Sequence, residues 1–134
     1  MHKLFVYGTL KRNYGNHRCL QGSKYLMDLV VRDNFYLIDL GPFPALIHDP
    51  NNRYSVYGEL YEIDDKILKR CDILEGYSSF YDRSLRELEG VGSVWLYYLN
   101  PNTYDLEKRY HGYDKLERWE RTLPVSGMRN ASGA

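Results

Sequence analysis

The chain is 134 residues long, 43% apolar and 27% charged, the make-up of a single globular domain large enough to bury a core. Its 18 basic and 18 acidic side chains cancel, so no net field favours nucleic acid, acidic lipid or acidic protein, and any anion must be held locally. No apolar run reaches the length of a membrane span or a signal-peptide core, which makes a cytoplasmic location the expectation.

Leu4, Phe5 and Val6 form a short apolar run of high β-propensity that ends in Tyr7-Gly8-Thr9-Leu10. Gly8 lacks a Cβ, so it can adopt positive φ and let a ligand approach the main chain. The N–H groups after it can converge on an anion, and the Thr9 hydroxyl can donate. From these residues alone a plain surface turn is an equal alternative. Met27 to Val31 and Phe35 to Leu40 read as strands joined by a tight hairpin at Arg32-Asp33-Asn34. Gly41-Pro42-Phe43-Pro44 then interrupts regular structure. Tyr54 to Ile63 alternates Val56, Gly58 and Leu60 with Tyr57, Glu59 and Tyr61, the period of a half-buried strand, and Gly58 marks a bulge or a close backbone approach.

The helix signals are clearest from Asp65 to Glu75. Asp64 is placed to cap its start, Ile63 to staple against Leu68, and Gly76 to end it in the left-handed conformation. Ile67, Leu68, Cys71 and Leu74 form the core-facing stripe, with Lys66, Lys69, Arg70 and Asp72 on the other side. Glu75 follows Leu68 by seven positions, about −20° around the helix, and so projects from the apolar face. Desolvation and the negative end of the helix dipole should both raise its pKa, as a group that accepts and returns a proton near neutral pH requires. Fraying into solvent, or pairing with Arg83 or Arg86, is the competing expectation.

Leu85 to Leu88 and Val94 to Leu99 supply further strands, for five or six in all with few helices. Asp114 to Arg121 is expected to form a short helix that packs Leu116 and Trp119 onto the body, and Ser126 to Ala134 has the composition of a disordered tail after a single domain spanning 1–125. Most of the 14 tyrosines suit half-buried strands, and without a basic strand signature they do not suggest base stacking. Cys19 and Cys71 read as buried structural thiols. His2, His17, His48 and His111 are isolated from one another and from cysteine, so no metal centre is expected. There is no Gly-x-Ser-x-Gly elbow, P-loop or dinucleotide fingerprint.

Taken in order, Tyr7-Gly8-Thr9-Leu10, Gly41-Pro42-Phe43-Pro44-Ala45, Val56-Tyr57-Gly58-Glu59-Leu60-Tyr61, and Leu74-Glu75-Gly76-Tyr77 followed by Tyr81-Asp82-Arg83 resemble the γ-glutamylcyclotransferase-like family. The resemblance implies an α+β fold, a small mixed β-barrel of five to seven strands with flanking helices and a cavity at one mouth. It further implies that Tyr7, Gly8, Thr9 and Leu10 bind a γ-glutamyl group, that Glu75 is the catalytic acid–base, and that Tyr81 lines the same cavity. The expected partner is a small γ-glutamyl compound, with no cofactor. Tyr77 and the Ser78-Ser79-Phe80 insertion before Tyr81 depart in detail from the aromatic lining of relatives. A binding module that keeps the cavity without cyclising its ligand is the alternative.

Overall fold

The structure is a computed structural model that describes residues 1–101, 109–110 and 112–120; the expected tail and domain boundary, His111 and Arg121 lie outside the described residues. Seven strands and one α-helix follow in the order β1 (His2–Val6), β2 (Lys24–Asp33), β3 (Phe35–Asp39), β4 (Pro44–His48), β5 (Tyr54–Ile63), α1 (Asp65–Glu75), β6 (Tyr81–Leu88) and β7 (Gly92–Leu99), with a 3-10 turn at His17–Leu20 before β2. The expected α+β class is the one found.

The strands form a five-stranded mixed sheet of order β2-β5-β1-β7-β6 and a two-stranded sheet of β3 and β4. β1 is central, antiparallel to β5 and parallel to β7. Its Leu4, Phe5 and Val6 are wholly buried, which is why this strand is a continuous apolar run rather than an alternating one. The ladder does not close into a hydrogen-bonded barrel. Instead the sheet coils until its outer strands face each other, and Arg86 on β6 grips Asp33 on β2 with two bonds of 2.7 and 2.8 Å. A groove of about 700 Å³ runs between these edges, lined by Leu29 to Asn34 and Leu85 to Glu89.

Gly58 sits in register opposite Leu29 without a bulge; the irregularity in β2 falls between Tyr25 and Met27. Close approach is what demands glycine, because a Cβ at position 58 would lie 2.3 Å from the Val6 carbonyl oxygen and 2.7 Å from the Phe5 ring. The helix has the expected boundaries. Asp64 accepts from the Ile67 amide at 2.8 Å, and Gly76 takes φ 61° and ψ 47°.

Three local expectations are corrected. Arg32-Asp33-Asn34 is a corner between sheets, not a hairpin, since β2 pairs with β5 and β3 with β4. Its polarity serves the Asp33–Arg86 clasp. Ala45-Leu46-Ile47 forms the core of β4, immediately after the Gly41-Pro42-Phe43-Pro44 break; Pro44 is tolerated as the first residue of its strand. Finally, Asp114–Glu120 is not helical. Leu116 instead bridges to Leu37, its amide donating to the Leu37 carbonyl at 2.8 Å, while Tyr57 donates to Glu117 at 2.7 Å. The expected packing is met by other means: Trp119 is 2% exposed, stacks 5.4 Å from Tyr14, and receives the buried Lys11 ammonium on its carbonyl at 2.6 Å.

Candidate active site

The C-terminal end of β1 delivers Tyr7 into the core, and the loop that follows is tightly wound. The Lys11 amide returns to the Gly8 carbonyl at 3.0 Å, the Asn16 amide donates to the Thr9 carbonyl at 3.1 Å, and Asn16 Nδ2 donates to Thr9 Oγ1 at 2.9 Å. His17 Nδ1 lies 2.8 Å from the Leu10 carbonyl. Tyr7, Thr9 and Leu10 are fully buried. Gly8 is buried too, but it is not among the glycines of positive φ, so the left-handed freedom expected there is not used. Its lack of a Cβ remains a matter of room rather than of backbone strain.

Glu75 ends α1 at 1% exposure, as the helical spacing predicts and as fraying would not allow. The two arginines that the sequence offers as partners are engaged elsewhere, Arg83 with Asp72 and Arg86 with Asp33. Glu75 stands close enough to Tyr7, Tyr81, Tyr97 and Cys71 for its negative charge to act on all four. The Tyr7 hydroxyl is held well above the ordinary tyrosine value, chiefly by burial and then by Glu75, with a Leu46 amide bond opposing. Tyr81 is raised by burial, then by Tyr7 and Glu75. Burial likewise pushes the Cys71 thiol up to about 12, with Cys19 and Glu75 adding to it. Cys71 is thus the inert buried thiol expected, whereas Cys19 is only half-buried.

The tyrosine hydroxyls are fixed by backbone groups. Tyr7 donates to the Tyr97 carbonyl at 2.8 Å and Tyr81 to the Pro44 carbonyl at 2.7 Å. β4, which sequence reasoning passed over, therefore supplies both the Pro44 acceptor for Tyr81 and the Leu46 donor for Tyr7. Its signal was the apolar Ala45-Leu46-Ile47 run, hidden behind two prolines. Asp72 is a second omission. Assigned to the solvated side of α1, it is only 17% exposed and accepts from Tyr97 Oη at 2.7 Å and from Arg83 Nε at 2.9 Å. The Ser78-Ser79-Phe80 insertion is a compact turn in which Ser78 adopts φ 71° and donates to the Tyr81 carbonyl at 2.8 Å. Among the described residues, no three His, Cys, Asp or Glu side chains are grouped as metal ligands, and no helix is long and apolar enough to cross a membrane.

A coiled mixed sheet with a buried helix-end glutamate facing tyrosines at the end of its central strand defines a small α+β domain with an enclosed carboxylate site. The chain belongs to the family described as gamma-glutamyl cyclotransferase, AIG2-like, whose model matches residues 4–121. It is 35% identical over 131 residues to the Rattus norvegicus protein named gamma-glutamylaminecyclotransferase, with 86% of this chain and 88% of that one covered. It is also 35% identical over 95 residues to the gamma-glutamylcyclotransferase family protein YtfP of Escherichia coli K12, covering 71% of this chain and 80% of that one. In three dimensions it resembles the crystal structure of an AIG2-like protein from Mus musculus, with a TM-score of 0.72 at 27% identity, over 94% of this chain and 92% of that one.

Proposed function

We propose that the chain releases 5-oxoproline and an amine from a γ-glutamyl compound by intramolecular lactam formation. The observation that carries this reading is Glu75, a carboxylate at 1% exposure grouped with Tyr7 and Tyr81 beside the Gly8-Thr9-Leu10 loop. The names of the relatives support the γ-glutamyl group as the part recognised.

In the proposed reaction the substrate's α-amino nitrogen attacks its own γ-carbonyl carbon, forming the C–N bond of a five-membered lactam. The bond from that carbon to the leaving nitrogen then breaks. The α-ammonium must first lose a proton and the leaving amine must gain one, so a single carboxyl group that takes the proton and returns it balances the cycle. Glu75 is that group. The oxyanion of the tetrahedral intermediate is held by backbone N–H groups of the Gly8-Thr9-Leu10 loop in a site where burial strengthens every dipole. Tyr7 and Tyr81, with pKa values far above neutral, stay protonated and act by shape and hydrogen bonding, not by titrating. Binding the substrate with its amino group folded against the γ-carbonyl supplies acceleration through proximity.

The test is 5-oxoproline release from a panel of γ-glutamyl amines, γ-glutamyl amino acids and glutathione. Wild-type protein should turn over at least one of them, and Glu75→Gln, which keeps shape and removes the base, should lower kcat about a thousandfold. Normal 5-oxoproline formation by Glu75→Gln would sink the assignment.

A further inference from the structure

Three residues before Glu75, Asp72 ties the last turn of α1 to the sheet from two directions. Its carboxylate accepts from Arg83 Nε at 2.9 Å, Arg83 Nη2 at 3.3 Å and Tyr97 Oη at 2.7 Å. Its carbonyl accepts the Tyr77 amide at 2.9 Å, while the Gly76 amide reaches the Ile73 carbonyl at 3.3 Å, the paired bonds of a Schellman ending that fixes the residue between them, Glu75. The network continues to the loop strand, because the same Tyr97 whose hydroxyl meets Asp72 offers its carbonyl to Tyr7. Arg83 is clamped in turn, its guanidinium 4.2 Å from the Trp95 ring and 4.5 Å from the Tyr77 ring. With 15% and 17% of their side chains exposed, Arg83 and Asp72 are poorly screened by solvent.

We propose that Asp72 and Arg83 are positioning residues for Glu75, holding the helix end at a set distance from Tyr7 and cancelling each other's charge beside the buried carboxyl. This rests on the cyclotransferase reading for its activity measurements, though not for its ionisation ones. The groups that face Glu75 are Cys71 and Asp72 on its own helix, Tyr7 after β1, Tyr81 and Arg83 on β6, Tyr97 on β7, and Cys19 in the 3-10 turn. Tyr110 stands behind Tyr81. The tyrosines and Cys71 titrate far above neutral pH, so the Asp72–Arg83 pair carries the charges that matter near the working range.

Breaking the pair from its two ends should therefore have opposite effects. Arg83→Gln leaves the Asp72 charge uncompensated and opposes ionisation of Glu75, moving the acid limb of the kcat/KM profile up by about one pH unit. Asp72→Asn leaves the Arg83 charge and moves that limb down. The double variant returns it close to the wild-type position. Arg83→Lys keeps the charge but loses the fork and its stacking, so the limb stays in place while kcat falls, by up to roughly a hundredfold, with little change in KM.

Damage to folding would lower activity in both single variants without moving their limbs apart, and limbs that stay put, or move the same way, overturn the proposal. If Arg83→Gln does not fold, Asp72→Asn and Arg83→Lys decide it: an unmoved limb in the first, or a limb displaced upward in the second, overturns it. If the wild type turns over no γ-glutamyl compound, the cyclotransferase reading fails. The ¹³C titration of the Glu75 carboxyl then decides the positioning role by the same opposite signs, and identical midpoints overturn it.

Discussion

Arg83 and Arg86 lie three residues apart on β6, and each holds an aspartate in a guanidinium fork, Asp72 on α1 and Asp33 on β2. An odd spacing along a strand sends two side chains to opposite faces. Arg83 shares its face with Tyr81 and so meets the helix that carries Glu75. Arg86 turns the other way and clasps the far edge of the sheet. Two pairs of one chemistry thus do different work: one sets a helix end beside a buried carboxyl, the other draws together strands that no ladder joins. The large groove lies at the second pair, among mixed charges, whereas the buried carboxylate and its tyrosines lie at the first. Room at the surface does not locate the chemistry; the residue types that are buried do.

The two regions share β1 and β5, and the largest expected effect beyond Glu75 itself comes from disturbing both at once. Gly58→Ala forces a Cβ against the Val6 carbonyl and the Phe5 ring, displacing β1 just before Tyr7, and should cost about 3 kcal/mol of stability in urea unfolding together with most of the activity. Wild-type stability in that variant would mean that β1 and β5 can part without harm.

A smaller effect should stay within the Glu75 region. Tyr81→Phe leaves the Pro44 carbonyl without its donor inside the core, with an expected loss of about 1–2 kcal/mol in stability and lowered 5-oxoproline release. Full activity would remove Tyr81 from the site.

The smallest effect should fall on the edge clasp. Arg86→Gln is expected to cost about 1 kcal/mol, discounted for solvent, and to leave turnover unchanged. Arg86 holds the Asp33 carboxyl below the usual aspartate range, first through its hydrogen bonds. A depressed carboxyl stabilises the fold above its unfolded pKa, and that contribution is lost as pH falls through the folded value. The stability gap between wild type and Arg86→Gln should accordingly be full at neutral pH and close below about pH 3.9. A gap that persists in acid would assign the clasp to packing instead, for which the Phe35 ring 5.2 Å from the guanidinium is the obvious source.

Local chemistry wrote much of this into the sequence. The buried central strand, the α1 boundaries at Asp64 and Gly76, the inward turn of Glu75 and the need for glycine at 58 each follow from short-range pattern, because periodicity, capping and the missing Cβ act within a few residues. What pattern could not supply was pairing across the chain. Arg32-Asp33-Asn34 looks like a hairpin until β5 takes β2 as its neighbour, and Ala45-Leu46-Ile47 looks like loop until β3 pairs with it. The segment at Leu116 looks helical until the Leu37 backbone claims its amide. Asp72 looks solvated until Arg83 and Tyr97 arrive from strands distant in sequence. Which carboxylate is buried was thus decided by the helix alone; which arginine and which tyrosines surround it was decided only by folding, since ion pairs and ladders form between groups whose separation along the chain carries no signal of their contact.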